Sequence, residues 1–349
     1  MEYLLFPKHW QHRGYKGMKE RKQTIDDIAE ELKISKTTVS RAISGKGRIS
    51  EETRAKVMAY IEKAGYKPNA IARGLAKNRT YNIGFAVPGD YGLVDLPFFQ
   101  NCLWGICTYA AERDYDVVIT MVRENDISQL ERLITNNKVD GVIIGRTYEN
   151  DLAEKFLTEK RIPFVTIGSS RNEEVIQVDN DHVNACKELT GVLLGKGFKR
   201  LALIGSSLGY IVNSNRLKGF VDAHKEAGVE PIKELVYTDV EYGANIDAVV
   251  EKLVKNKADC IICMDDAICA YVLNRLKVMK VSVPNEIKVA SFYNSSTLEY
   301  NEPAITSLNF DVRELGMESC KTLLQCIKHE PETRKKLLGF EVVLKESTK

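Results

Sequence analysis

Two hydrophobic rhythms divide the chain. From Thr24 to Ala64 apolar residues recur three and four positions apart, the period of helices with one buried face. Ile25, Ile28, Ala29 and Leu32 form one set, Val39, Ala42 and Ile43 a second, and Val57, Tyr60, Ile61 and Ala64 a third. From Tyr81 the rhythm changes to short apolar runs at 83–87, 117–121, 142–144, 164–167, 201–204, 260–264 and 289–292. Amphipathic stretches at 98–113, 127–136, 151–159, 181–196, 216–227, 245–255 and 267–278 lie between most of them. This alternation predicts parallel sheets covered by helices. Its length exceeds one comfortable doubly wound sheet. The expected fold is therefore an all-α helix-turn-helix head followed by an α/β core of two doubly wound parallel-sheet lobes with a cleft between them. A helix over 312–327 and a strand over 340–344 are expected to return to the lobes.

Local signals sharpen the head. Thr24 caps the first helix, and Asp27 completes a capping box. Ser35 caps a second helix over 35–44, which turns Val39, Ala42 and Ile43 to one side and Lys36, Thr37, Ser40 and Arg41 to the other. A small apolar face opposite short polar and basic groups suits a DNA major groove, although ordinary surface helices share the pattern. Ser50 caps a third helix, Glu51 and Glu52 suit its positive end, and Gly65 stops it. Three short helices with a tight turn between the first two make a helix-turn-helix. Residues 69–75, with Gly74, make a weak helix that could fold on docking to DNA, or a plain linker.

Charge supports this division. Residues 1–80 carry 18 Lys and Arg against 9 Asp and Glu, whereas the remainder carries 32 against 39, although the whole chain is only +2. A basic head on an acidic body points the head at a polyanion. No apolar run approaches the roughly 18 residues of a membrane span. The first 17 residues lack a signal-peptide core and are expected to be a disordered extension or untranslated, with Met18 as the start. A cytoplasmic location and eight reduced cysteines follow.

Enzymatic chemistry finds little support. The pair Cys260 and Cys263 has no second pair or histidines beside it, so it reads as a buried strand. The sequence shows no Walker loop, no triad and no histidine spacing for a metal, so neither cofactor nor metal is expected.

The motifs at 24–29, 35–41, 50–54 and 65–69 resemble the lactose-repressor (LacI/GalR) family of transcription regulators. The resemblance covers 20–349. It implies a homodimer on a pseudo-palindromic double-stranded operator, and a core like periplasmic binding proteins of type I that takes a small effector. By family position Lys36, Thr37 and Arg41 read bases, Ser35, Thr38 and Ser40 hold phosphates, and Thr24 joins the DNA-binding set. Asn69, Ala72 and Leu75 match the hinge at the minor groove. Lys33 stands where most members place Gly, which costs roughly 1 kcal/mol if the turn needs positive φ. The expected division is 18–66 for the head, 67–80 for hinge and linker and 81–349 for the core. Within the core, 81–179 with 308–333 form one lobe, and 180–307 with 334–349 form the other.

Within the family the core is most similar to maltose-operon repressors of Gram-positive bacteria, through 97–99, 163–168, 178–181 and 291–295. The implied role is repression of a carbohydrate operon under control of a maltose-like sugar. A non-sugar effector or corepressor is the alternative, and a transport solute-binding protein is a more distant one. Arg216 matches the family's effector arginine. Phe98 and Phe99 follow the first core strand, and could stack on a ligand or pack in the core. Asp265 and Tyr293 each follow a strand and can face the cleft, while Asp265 could equally be a helix cap. Tyr293 and Asn294 replace a carboxylate that several members carry there. Arg146 and Tyr148, after another strand, complete the candidates.

Overall fold

The structure, a computed structural model, describes residues 23–44, 47–66, 79–89, 96–240, 243–330 and 333–349. Asn69, Ala72 and Leu75, and the first 17 residues, lie outside the described residues. The chain divides into two compact units, Met1–Lys77 and Asn78–Lys349.

The first unit holds α1 (Ile25–Glu31), α2 (Lys36–Ser44) and α3 (Glu51–Ala64). Ile28, Ala29, Val39, Ala42, Val57 and Tyr66 form its small core. All but Tyr66, which follows α3, come from the three apolar stripes, so the helical periodicity specifies which helix faces meet.

The second unit contains two sheets. The first runs in the order β11-β5-β4-β3-β1-β2, all parallel, from β1 (Asn82–Pro88), β2 (Asp116–Val122), β3 (Gly141–Ile144), β4 (Phe164–Ile167), β5 (Gln177–Asn180) and β11 (Lys335–Leu338). The second runs β12-β10-β9-β8-β6-β7, from β6 (Leu201–Ile204), β7 (Val236–Tyr237), β8 (Cys260–Cys263), β9 (Lys288–Ser291), β10 (Thr306–Asn309) and β12 (Glu341–Val343). Only β12 is antiparallel to its neighbour among these strands. Strand order reverses between β1 and β3 in one sheet and between β6 and β8 in the other. The loops after these strands therefore open a crevice in each lobe.

Helices α4 (Leu96–Ala111), α5 (Ser128–Thr135), α6 (Leu152–Glu159) and α12 (Val312–Ile327) belong to the first lobe. Helices α7 (His182–Gly195), α8 (Ile211–Glu226), α9 (Ala244–Lys255), α10 (Asp266–Val278) and α11 (Ser296–Glu299) belong to the second. One hydrophobic cluster runs through both lobes, from Ile83 and Phe85 through Leu189 and Leu203 to Phe292 and Leu323. A separate cluster packs the outer face of each sheet. The chain crosses between lobes at 180–182, 309–312 and 338–341. Among the described residues no helix is long and apolar enough to cross a membrane.

Three features differ from the sequence reading. Strand β11 was expected in the second lobe with 334–349, but it pairs with β5 in the first, so only the chain after 338 returns to the second. Its sequence, Lys-Lys-Leu-Leu, has half-buried and exposed positions in alternation, as an edge strand requires, and carries no signal for which sheet it joins. Helix α8 begins at Ile211, five residues before the expected 216, which places Arg216 in its second turn. Asn213, Ser214 and Asn215 are poor helix formers. Tertiary bonds offset this, since Asn213 Nδ2 donates to Ser206 Oγ at 3.0 Å and to the Ser207 carbonyl at 2.9 Å. Strands β5 and β10 were not anticipated, because buried polar residues such as Gln177, Asp179 and Thr306 interrupt their apolar runs.

Candidate functional site

Helix α2 is positioned by its caps and by the turn before it. Asp27 Oδ2 accepts from Thr24 N at 2.8 Å, and Thr24 Oγ1 accepts from Asp27 N at 3.3 Å, which fixes where α1 begins. Leu32 ends it, and Lys33 takes φ +53° in the turn. The positive φ that favours Gly is therefore present with a lysine in place, a local strain of about 1 kcal/mol. Ser35 Oγ accepts from Thr38 N at 3.1 Å and shares a 2.8 Å hydrogen bond with Thr38 Oγ1. Val39 and Ala42 are buried beneath, while Lys36, Thr37, Ser40 and Arg41 are exposed.

The open face thus carries two cations, two hydroxyls and no acid. Lys36 Nζ lies 2.7 Å from Asp26 on α1, an exposed pair worth at most about 1 kcal/mol. A phosphate or guanine can displace it. The Arg41 stem passes over Gly47, where a Cβ would stand 3.0 Å from Arg41 Cδ, and Gly47 has φ +90°. Glycine there both makes the turn and leaves the arginine its path.

In the second unit a cavity opens between the lobes. Its wall comes from the carboxyl ends of the strands: Gly145, Arg146 and Thr147 after β3, Gly168 after β4, Ser206 after β6, Asp265 and Asp266 after β8, and Tyr293 after β9. Phe98 and Phe99 enter from α4, Leu315 from α12, and Asn213 and Arg216 from α8. Five of the candidates from sequence, Phe98, Phe99, Arg216, Asp265 and Tyr293, therefore meet in one place, together with Arg146.

Two do not line it. Tyr148 is buried at the rim, where its ring packs 5.5 Å from Tyr210. Asn294 faces a neighbouring groove, with Tyr293 as the wall shared by both spaces. Residue 293 ends the strand's approach to the cavity, and the next side chain points the other way.

The electrostatics of the wall are unusual in one respect. Arg216 is 8% exposed, no ion pair reaches it among the described residues, and its Nε has no hydrogen-bond acceptor. The carboxylates of Asp179, Asp265 and Asp266 lie within reach of its charge, so what stays unmet is the Nε donor, whose burial is costly unless a ligand supplies an acceptor. Asp179 is already occupied. It accepts from Ser169 N at 2.8 Å, Ser169 Oγ at 2.7 Å and Asn180 N at 2.8 Å. Burial pushes its pKa up to about 6, against the pull of these bonds and of Arg216. His182 Nε2 lies 3.5 Å from Asp179 Oδ1, but burial and the Arg216 charge hold the imidazole pKa well below its ordinary range. His182 is neutral at pH 7, so this is a polar contact and not an ion pair.

Asp265 caps α10, accepting from Ile268 N at 2.8 Å, and also lines the cavity, so both readings of it hold geometrically. Burial raises the carboxyl pKa of Asp265 and of Asp266. The rings of Phe98 and Tyr293 meet edge to face at 5.9 Å, and the Arg146 guanidinium lies 5.4 Å from the Phe99 centroid. Sequence reasoning did not single out Asp179, His182, Asn213 or Asp266. The available signal was polarity inside a strand (Asp179) and at the starts of helices (His182, Asp266).

Comparison with known proteins fits both units. Residues 24–69 match the model of bacterial regulatory proteins of the lacI family, and 190–348 match the periplasmic binding protein-like domain. The chain is 30% identical over 332 residues to the HTH-type transcriptional regulator MalR of Streptococcus pneumoniae, covering 92% of this chain and 99% of that one. It is 28% identical over 312 residues to catabolite control protein A of Staphylococcus xylosus, covering 88% and 93%. A solved complex of the transcriptional regulator CelR with cellobiose superposes with a TM-score of 0.70 at 25% identity, over 93% of this chain and 99% of that one. The lac repressor dimer bound to operator superposes with a TM-score of 0.77 at 20% identity, over 93% and 99%, and shows the shared fold. A capped recognition helix, a two-lobed core and similarity along nearly the whole chain lead to one conclusion: this protein belongs to the LacI family of DNA-binding transcriptional regulators and is similar to the MalR and CcpA repressors of Gram-positive bacteria.

Proposed function

We propose that this regulator represses a carbohydrate-utilisation operon and that a small neutral sugar of the maltose or maltodextrin class, bound between the lobes, sets its operator affinity. The observation that carries this reading is Arg216, buried in the cavity wall with Nε lacking an acceptor. Sugar hydroxyls can accept from a guanidinium and donate to carboxylates at once. The wall supplies both kinds of group, with Arg146 and Arg216 against Asp179, Asp265 and Asp266. Carboxylates outnumber guanidiniums, which disfavours a phosphorylated sugar. Phe98, Phe99 and Tyr293 offer apolar surface to a pyranose face.

On DNA, Lys36, Thr37 and Arg41 read bases in the major groove, and Thr24, Ser35, Thr38 and Ser40 serve the backbone. Asn69, Ala72 and Leu75 act as the hinge in the minor groove, with Leu75 as wedge. The chain works as a homodimer on a pseudo-palindromic operator. Trp104 on α4 and Ile119 and Met121 on edge strand β2 are exposed apolar side chains of the first lobe, which supports a partner copy. The protein acts in the bacterial cytoplasm, where its operator lies, without a cofactor and not as an enzyme.

A thermal-shift panel of the full chain with maltose, maltotriose, cellobiose and maltose 6-phosphate tests the effector class. Maltose or maltotriose at 100 times its dissociation constant stabilises by about 2.7 kcal/mol, and the phosphorylated sugar does not. A response to the phosphorylated sugar alone, or to none of the four, refutes it.

A further inference from the structure

Helix α12 touches two functionally distinct places. Leu315, in its first turn, lines the cavity, and Ile327 is its last residue. Sixteen residues at 1.5 Å rise make a rod of about 24 Å. At the far end the Ile327 carbonyl accepts from Arg79 Nη2 at 3.1 Å, and Arg79 Nη1 donates to Tyr115 Oη at 3.1 Å.

The residues after Arg79 are pinned as firmly. Asp140 Oδ1 accepts from Thr80 N at 2.6 Å and from Thr80 Oγ1 at 2.8 Å, and Asp140 Oδ2 accepts from Tyr81 N at 3.1 Å. The Tyr81 ring packs 5.4 Å from Tyr115. Residues 79–81 therefore sit where the core dictates. They directly follow residues 67–78, the stretch of sequence that joins the core to the helix-turn-helix.

The rod is stiff and tied to a second wall of the cavity. Gly316 of α12 and Gly105 of α4 cross so closely that a Cβ on Gly105 would stand 2.1 Å from the Arg313 carbonyl, and one on Gly316 would stand 2.2 Å from the Cys102 carbonyl. Helix α4 carries Phe98 and Phe99. The two cavity-lining helices of the first lobe are therefore packed backbone to backbone, and the end of α12 reaches the linker side through Arg79.

We propose that Arg79 is the positioning residue that couples the cavity to the DNA-binding head, by fastening the incoming linker to the carboxyl end of α12. A shift of α12 set at Leu315 is delivered at Ile327 to the backbone of residue 79. Arginine suits the role because its fork of donors spans two acceptors in fixed geometry, one of them at the negative end of a helix. The proposal rests on the reading of the cavity as the effector site.

The test uses the full chain, an operator duplex selected by the wild-type protein from random DNA, and maltose as the probe. Arg79→Met keeps the stem and removes every donor, while Arg79→Lys keeps one donor and the charge. The Met variant binds maltose within about twofold of wild type, yet its operator dissociation constant responds to maltose by less than about twofold. The Lys variant is intermediate, which a purely structural role does not predict. A full wild-type response in the Met variant overturns the proposal.

If wild-type operator binding ignores maltose, the maltose reading fails, and a sugar-free cycle decides on Arg79. Leu315→Met then changes operator affinity about threefold or more with Arg79 present and by less than about 1.5-fold with Arg79→Met. Equal changes in the two backgrounds, or none in either, overturn it.

Discussion

Tyr148 and Tyr210 face each other across the two lobes as an antiparallel bridge, with ring centroids 5.5 Å apart. The backbone beside them is joined as well. Glu149 N donates to the Gly209 carbonyl at 2.9 Å, and Ile211 N donates to the Thr147 carbonyl at 3.3 Å. Arg146 reaches from the same loop over the Tyr210 ring at 4.8 Å. The strap borders the cavity, since Arg146 and Thr147 belong to both. An aromatic pair of this kind contributes about 0.5–1.5 kcal/mol. Tyr210→Ala therefore raises amide hydrogen exchange at Glu149 and Ile211 by roughly 2- to 10-fold. Unchanged protection at these amides shows that the ring pair does not hold the two lobes together there.

A second prediction concerns pH. Glu154 is 7% exposed, with Oε1 lacking a partner and Oε2 accepting from Ser170 Oγ at 2.7 Å. Burial pushes its pKa up to about 7, the Ser170 bond pulls it down, and Asp151 adds to the rise. The folded state thus holds a proton that the unfolded state has lost. Stability is fully present below the ordinary glutamate range and falls as pH rises towards 7, by on the order of 2 kcal/mol. Glu154→Gln flattens this part of the profile in urea titrations between pH 4.5 and 8. Asp179, with a pKa of about 6, keeps a smaller slope of the same sign. A Gln variant with the wild-type profile refutes the assignment.

Arg41→Ala weakens specific operator binding by about 1–3 kcal/mol and leaves binding of scrambled DNA nearly unchanged. Fluorescence anisotropy with the two duplexes measures the difference. Equal losses on both sequences would make Arg41 a phosphate contact instead of a base reader.

Lys33 at φ +53° gives a stability prediction inside the head. Lys33→Gly relieves the strain of about 1 kcal/mol and, after the cost of glycine's greater freedom in the unfolded chain, stabilises the head by up to about 0.5 kcal/mol. The head's calorimetric transition in the full chain moves up. A downward shift shows that the lysine makes a compensating contact.

The head was legible in sequence because its information is local. Thr24, Ser35 and Ser50 act on amides three residues away, so caps and apolar stripes set every boundary. Strands β3, β6 and β8 were legible because fully buried parallel strands are continuous apolar runs. Strand β5 was hidden because Asp179 is buried and satisfied by Ser169, ten residues earlier, a bond no periodicity announces. The start of α8 was hidden because Asn213 spends its side chain on Ser206 and Ser207 and not on the helix. Cavity residues were legible where they directly follow an apolar run, as Asp265 and Tyr293 do. Tyr148 shows the limit of that rule: two residues beyond Arg146, the loop has already turned to meet the other lobe.

The interlobe cavity and the helix that reads the operator are thermodynamically linked. Linkage is reciprocal, so a sugar that changes operator affinity by some factor must have its own affinity changed by the same factor when operator is bound. Isothermal titration of maltose into the full chain, with and without saturating operator duplex, measures this directly. The two dissociation constants differ by the factor found in operator titrations with and without maltose, and Arg216→Ala binds no maltose in either state. Identical constants with and without operator would contradict this linkage.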